Sequence, residues 1–394
     1  MVKHLFKLIW NKRKHNFLFL SEILVSFLVI FAVFSFLVYY YMNYRKPMGL
    51  AYDRVWSINY NSNQQSKNMD SLVIFYEDLQ KALKSMPMVE AVSYTSNNFP
   101  YSNGIMTTGL SPAGKKVYNV NNYMVGDDYN KVWKMTLLEG RWFNPEDKVA
   151  RNKAIIINES LRKEIFGTGP VIGKSVGDYE DKGKLKIIGV VQDFKANGDF
   201  WPAGYALFSP LDSGYLKHTN VLLVKVRPEA NATFESSLYK FMASRLKNSS
   251  IEIQHLSEMR DAKNEQTIIP MLIFMIIASF LIINVALGLF GVLWYNINQR
   301  RGEIGLRRAL GASGNSVSGQ LISESLILAT MSLAVGCFFA LQFPIMNVFN
   351  VPSIVYVLAI LLSIAFIYVL VFVCALYPGK QAAAIHPAVA LHEE

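Results

Sequence analysis

The apolar positions gather into four long runs with uneven spacing. One occupies 17–41, and after a long polar-interrupted interval three more follow at 268–297, 317–343 and 354–376. Each is long enough to cross the ~30 Å hydrocarbon core, which takes about 20 residues of helix. The pattern predicts an α-helical membrane protein with four transmembrane helices. It also predicts one large α+β domain, 42–267, between the first two spans.

Inside that interval the period changes. Residues 55–60 read as a strand, 72–83 as a helix with Leu72, Phe75, Tyr76, Leu79 and Leu83 on one face, and 89–94 as a returning strand. A second unit repeats the order with a strand at 221–226, a helix at 232–247 and a strand at 251–253. Two such units predict a ferredoxin-like layer of the split βαβ kind. The stretch of about 96–216 is then an insertion, a second, strand-rich subdomain with turns at 178–183 and 202–204. Three of its segments, 135–143, 154–159 and 187–194, read as buried strands with their turns. Beyond the membrane, spans one and two are expected to continue as stalk helices over 42–53 and 257–270.

Charge sets the orientation. Lys3, Lys7, Lys12, Arg13 and Lys14 in the leading segment 1–16 place the N-terminus in the cytoplasm, and an even number of spans returns the tail 377–394 to the same side. The first run is too long for the 7–15-residue core of a signal peptide. It closes on Phe36-Leu37-Val38-Tyr39-Tyr40-Tyr41, an aromatic interface belt rather than a cleavage site. The same rule places the loop after span two in the cytoplasm, with Arg300, Arg301, Arg307 and Arg308 against Glu303. The net charge of +10 comes mostly from it and the leading segment, so a high pI here does not point to nucleic acid.

The chemistry-bearing residues exclude more than they offer. Cys337 and Cys374 both fall in predicted spans, so the outer domain stands without disulfides. His4, His15, His218, His255, His386 and His392 are scattered without metal-ligand spacing. Asp193 and Glu159 could be imagined as an acid/base pair, but nothing in their spacing supports one, and no Ser, Cys or His stands beside a base. No catalytic site, bound cofactor or metal is expected. Polar residues in the spans are few: Glu22 and Glu324 near the cytoplasmic ends and Asn284 mid-span, fewer than a polar translocation path needs. Glu324 is expected to meet the arginines of the loop after span two, and Glu22 to snorkel or pair locally.

That loop, 298–316, is the most informative stretch. Arg300, Arg301, Gly302, Glu303, Ile304, Gly305, Leu306, Arg307, Arg308, Ala309, Leu310 and Gly311 form a short amphipathic helix. Glu303 and Arg307 stand at i, i+4 in the favourable order, and Leu306 and Leu310 are one turn apart. Gly311 suits the helix stop, and Ser313, Asn315 or Ser316 can cap the next helix. By physics alone this is equally an interfacial helix with snorkelling arginines.

The string RRGEIGLRRALGAS resembles the signature of the MacB/FtsX-type permeases of ABC transporters. The basic segment 7–16, the tail 377–391 with its Pro378 and Pro387-Ala388, the three outer-domain segments and Ile172-Gly173-Lys174 resemble the same family in the same order. The resemblance implies that 300–311 is a coupling helix docking on an ABC ATPase subunit, and that 42–267 is a periplasmic core domain with a ferredoxin-like porter subdomain. No G-x-x-x-x-G-K-[ST] loop occurs, so ATP and Mg belong on a separate ATPase partner. Four spans are half of the duplicated permeases, which implies a dimer with a second copy or a paralogue. The implied setting is the inner membrane and its lipid, with a periplasmic adaptor and an outer-membrane channel as further partners. The implied role is mechanotransmission for export or efflux. The rivals are an FtsX-like signalling permease regulating a cell-envelope hydrolase, a lipoprotein-release permease, and a receptor-type sensor, which should lack spans three and four. His386 stands where many relatives carry a polar residue such as Asp. The cargo is not legible.

Overall fold

The computed structural model describes residues 13–61, 69–111, 116–148, 152–178, 184–211 and 219–384. Most of the basic leading segment, the turn after Asp178, and His4, His218, His386 and His392 lie outside the described residues. The chain forms two compact units, Asn43–Thr267 and the combination of Met1–Met42 with Ile268–Glu394.

Helix α1 (Arg13–Tyr44) is followed by β1 (Val55–Tyr60), α2 (Met69–Lys84) and β2 (Val89–Thr95). The insertion contributes β3 (Thr107–Ser111), β4 (Val117–Val125), α3 (Tyr129–Trp133), β5 (Leu137–Gly140), β6 (Ala154–Asn158), α4 (Glu159–Phe166), β7 (Ser175–Asp178), β8 (Lys184–Val191) and β9 (Ala206–Pro210). The unit closes with β10 (Val221–Val226), α5 (Ala232–Arg245) and β11 (Ile251–His255).

Strands β11, β1, β10 and β2 lie side by side in that order, antiparallel at every pairing. Trp56, Ile58 and Tyr60 of β1 and Leu222 and Val224 of β10 face α2 and α5, packing on Leu72, Tyr76, Leu79, Leu83, Leu238 and Met242. Val55, Val221 and Leu223 point the other way, into a second core with Tyr129, Trp133, Phe194 and Phe208. Both faces of β10 are therefore covered. That explains why Val-Leu-Leu-Val-Lys-Val runs apolar instead of alternating.

The insertion closes on itself. Strands β4, β3, β7, β8, β6 and β9 pair in sequence, and β9 returns to β4 in parallel register, Asn121 against Ala206 through Val125 against Pro210. This ring of six strands holds its own core of Leu110, Val120, Ile155, Ile157, Ile187, Val190 and Leu207. Ala154 and Ile156, on the opposite face of β6, join the core shared with α3. Helix α3 has no counterpart in the sequence reading, because five residues cannot display a helical period.

The other unit carries α6 (Leu256–Gln299), α7 (Arg301–Ala309), α8 (Gly314–Ala340), α9 (Gln342–Ile345) and α10 (Ser353–Ala383). Among the described residues four helices, α1, α6, α8 and α10, are long and apolar enough to cross a membrane. The 44 residues of α6 rise about 66 Å at 1.5 Å each, over twice the ~30 Å apolar layer, so its first turns belong to the other unit. The core of the bundle is built from Phe19, Ile23, Phe27, Ile30 and Phe31 against Leu289, Leu333, Tyr356, Ala359 and Ile367.

Three expectations need correcting. The predicted stalk helix 42–53 does not form, because α1 ends at Tyr44. Pro47 disfavours helical backbone at Lys46, and Gly49 adopts a φ of 78°. The tail expected from 377 stays helical through Ala383, with Pro378, Gly379 and Ala382 buried against neighbouring helices. The loop helix expected over 298–316 is shorter, 301–309, and 314–316 already belong to α8.

Candidate functional site

Helix α7 is the segment singled out in the sequence, and three helix ends hold it. Ile304 is buried in a cluster with Ile297 of α6, Val317 of α8 and Ala382 of α10, and Gly305 is buried beside it. One turn of chain thus ties the ends of three candidate spans together. The helix stops as its composition demands. Gly311 has a φ of 98°, its N–H donates to Arg308 O at 3.1 Å, and Ala312 N–H donates to Arg307 O at 3.0 Å. These two bonds form a Schellman stop. Ser313 then caps α8, its hydroxyl accepting from Ser316 N at 3.2 Å.

The charged residues form one connected chain. Arg300 donates to Glu324 of α8 at 2.7 Å, Gln320 donates to the other oxygen of Glu324 at 3.0 Å, and Arg307 donates to Gln320 at 2.9 Å. Arg307 also donates to Glu303 at 2.5 Å. A cleft of about 20 Å³ between these side chains is large enough for one water. Arg308 donates to Ala312 O at 3.4 Å, which braces the turn from inside.

What α7 shows to solvent is different. Leu306 is 51% exposed and Leu310 is 80% exposed, one turn apart and flanked by exposed Arg301, Glu303, Arg307 and Ala309. Two leucines left uncovered on a helix clamped from behind make a small apolar knob in a charged rim. Such a surface has the composition of a docking face. Within 300–311, Ile304 and Gly305 are thus the clamp, Arg300, Arg307 and Arg308 the braces, and Leu306 and Leu310 the exposed face. The partners Gln320, Val317 and Ala382 were not legible in advance, because they come from other helices. Glu324 was, as an acid in a span facing an arginine-rich loop.

The imagined acid/base pair does not form. Asp193 accepts from Asn158 Nδ2 at 2.6 Å, Ser160 N at 2.8 Å and Ser160 Oγ at 2.5 Å, while Glu159 pairs with Lys163 at 2.6 Å. Among the described residues no group of three or more His, Cys, Asp or Glu is placed to hold a metal ion.

Two families match this chain. The MacB-like periplasmic core domain covers residues 18–238, and the FtsX-like permease C-terminal covers residues 274–387. The macrolide export ATP-binding/permease protein MacB 1/2 of Paracoccus denitrificans (strain Pd 1222) is 26% identical over 267 residues. That alignment takes in 66% of this chain and 38% of the relative, so the chain spans well under half of that protein's length. The uncharacterized ABC transporter permease YvrN of Bacillus subtilis (strain 168) is 23% identical over 345 residues, 81% of this chain and 79% of that one. The crystal structure of the periplasmic region of MacB from Actinobacillus actinomycetemcomitans aligns at a TM-score of 0.39 and 20% identity, over 54% of this chain and 94% of that one.

Proposed function

This chain belongs to the MacB/FtsX-type ABC transporter permeases, and from that premise we propose that it couples ATP hydrolysis on a separate ATPase subunit to a conformational change of its outer domain. The observation that carries the reading is α7, with Ile304 and Gly305 buried under three helix ends and Leu306 and Leu310 offered to solvent. A partner that pulls on this knob pulls on all three helices at once. Residues 300–311 are the coupling segment, and ATP and Mg sit on the partner. Two permease subunits, identical or paralogous, make the working pair.

The remaining assignments follow from the same premise. Both termini are cytoplasmic, the membrane is the inner one, and 43–267 is periplasmic. The order β11-β1-β10-β2 with α2 and α5 on one face supports reading that part as a ferredoxin-like porter subdomain. Transmission to this domain, in the service of export or efflux, is the proposed task.

The test is affinity purification of the tagged chain from gently solubilised membranes, probed for an ABC ATPase in equal amount. Recovery of the ATPase from the native chain and its loss from Leu310→Glu, with both chains equally abundant in the membrane, is the expected result. An intact native chain that brings down no ATPase would sink the proposal.

A further inference from the structure

We propose that loop 193–201, between β8 and β9, is a crossbar that ties the six-stranded ring to both chain segments leading to the membrane, with Lys195 and Asp199 as its positioning residues. The inference deepens the transmission reading above and rests on it for its purpose, though not for its geometry.

Covalently, the two segments run into the four-stranded part. Residues 45–54 lead from α1 into β1, and α6 follows β11 without a loop. The ring is joined directly to neither, so force arriving along these segments reaches it either through the four-stranded part, which β2 pairs to β4, or through side-chain and backbone contacts. Loop 193–201 supplies them on both sides.

Its root is fixed in the ring by Asp193, whose carboxylate accepts from Asn158 and Ser160 at the β6–α4 junction. Toward the first segment, Lys195 N donates to Met48 O at 3.0 Å, and Lys195 Nζ donates to Tyr44 O at 3.3 Å and to Asp199 O at 3.0 Å. The Tyr44 ring stacks on Phe200 with centroids 5.5 Å apart. Gly49 runs so close beneath Asp193 that a Cβ there would overlap the Asp193 carbonyl oxygen.

Toward the second segment, Arg260 of α6 grips Asp199 with two nitrogens, Nε at 2.8 Å from Oδ1. Asp199 N donates to Asn264 Oδ1 at 2.8 Å, and Trp201 Nε1 donates to Thr267 Oγ1 at 2.9 Å. Gly198, with a φ of 91°, lets the backbone come within reach of Asn264. Surface loops are ordinarily more mobile than the elements they connect. Here a lysine that is 2% exposed spends its ammonium on two backbone carbonyls. Burying that charge is costly, and burial holds its amine below the usual lysine range. A bidentate guanidinium pair on the same loop adds directional stiffness.

The experiment measures spin-label distances in the full chain in nanodiscs, without ATPase, on a Cys337→Ser, Cys374→Ser background. One label pair joins α6 to the ring (Glu265→Cys with Ser175→Cys). A control pair lies within the ring and its adjoining turn (Tyr118→Cys with Thr168→Cys). The native crossbar gives a narrow distribution for both. Asp199→Asn, and independently Asn264→Ala, which strands no charge, at least double the width of the α6-to-ring distance and leave the control pair unchanged. An α6-to-ring distance that stays narrow in both variants overturns the proposal. So does equal broadening of the control pair, which reduces the loop to a support of the ring's own fold. Because no ATPase is present, either failure is separate from failure of the ATPase partnership.

Discussion

Arg300, at the start of α7, is joined to Glu324, three turns into α8, by a 2.7 Å ion pair with both side chains largely buried. Through Gln320 the same carboxylate holds Arg307, so the two ends of a nine-residue helix are fastened to one face of α8. A helix that short is marginal by itself. Its rigidity is borrowed from this network and from the Ile304 cluster.

Glu324→Ala should therefore loosen α7 rather than remove it. Loss of a partly buried charge-assisted pair costs about 1–3 kcal/mol, mostly local. In vesicles exposing this side, the peptide bonds after Arg307 and Arg308 should become trypsin-sensitive several-fold faster than in the native chain, while Glu324→Gln stays near native. Equal digestion rates for Glu324→Ala and the native chain would refute the bracing role.

The buried and exposed faces of α7 should separate folding from docking. Ile304→Glu places a charge in an apolar cluster and should lower the thermal midpoint measured in detergent by several degrees. Leu306→Glu and Leu310→Glu should leave that midpoint within about a degree, since surface changes rarely exceed ~0.5 kcal/mol. They should nonetheless lose most ATPase recovery. Glu303→Lys belongs with them, because its exposed i, i+4 pair with Arg307 contributes only about 0.3–0.5 kcal/mol.

Close helix approach in the bundle depends on Gly336. A Cβ there would lie 2.5 Å from Phe27 Cδ1, a ring that is itself fully buried. Gly336→Ala should cost about 1–3 kcal/mol as overpacking and lower the midpoint accordingly. Gly291→Ala meets nothing within 4 Å and should be neutral or slightly stabilising. Indistinguishable melting curves for the two would contradict this packing.

In the outer unit, the Asp147 carboxylate accepts from Arg141 at 2.7 and 2.8 Å and from Asn144 N at 2.9 Å. The Arg141 guanidinium holds it below the usual carboxylate range. Its contribution is thus fully present above the unfolded value of about 3.9 and is lost as pH falls through the lower folded value. Asp147→Asn should destabilise by about 1 kcal/mol at neutral pH, a modest figure because Arg141 is half exposed. The gap from the native chain, read by chemical denaturation, should narrow below about pH 4. A gap that widens in acid would reverse the assignment.

Local pattern was enough for the elements that carry a full period. The apolar face of α2 and the run of β10, apolar but for Lys225, announce their structure and their burial. The four long apolar runs needed only the thickness of a bilayer to be read, and RRGEIGLRRALGAS carries its helix and its stop in its own side chains. Contacts distant in sequence left no local trace. The parallel pairing of Asn121 with Ala206 closes the ring across a long separation, and no periodicity encodes it. The helix after span one fails because Lys46 precedes a proline and Met48 is claimed by Lys195, a residue far along the chain. Loop 193–201 has no period of its own, and what it does is visible only once Tyr44, Arg260 and Asn264 are brought around it. Short-range sterics and solvent affinity act within a few residues, so the sequence alone determined the strongly periodic elements and the bilayer runs. Burial, close approach and shared hydrogen bonds require partners from elsewhere in the chain, and only the tertiary structure decided those.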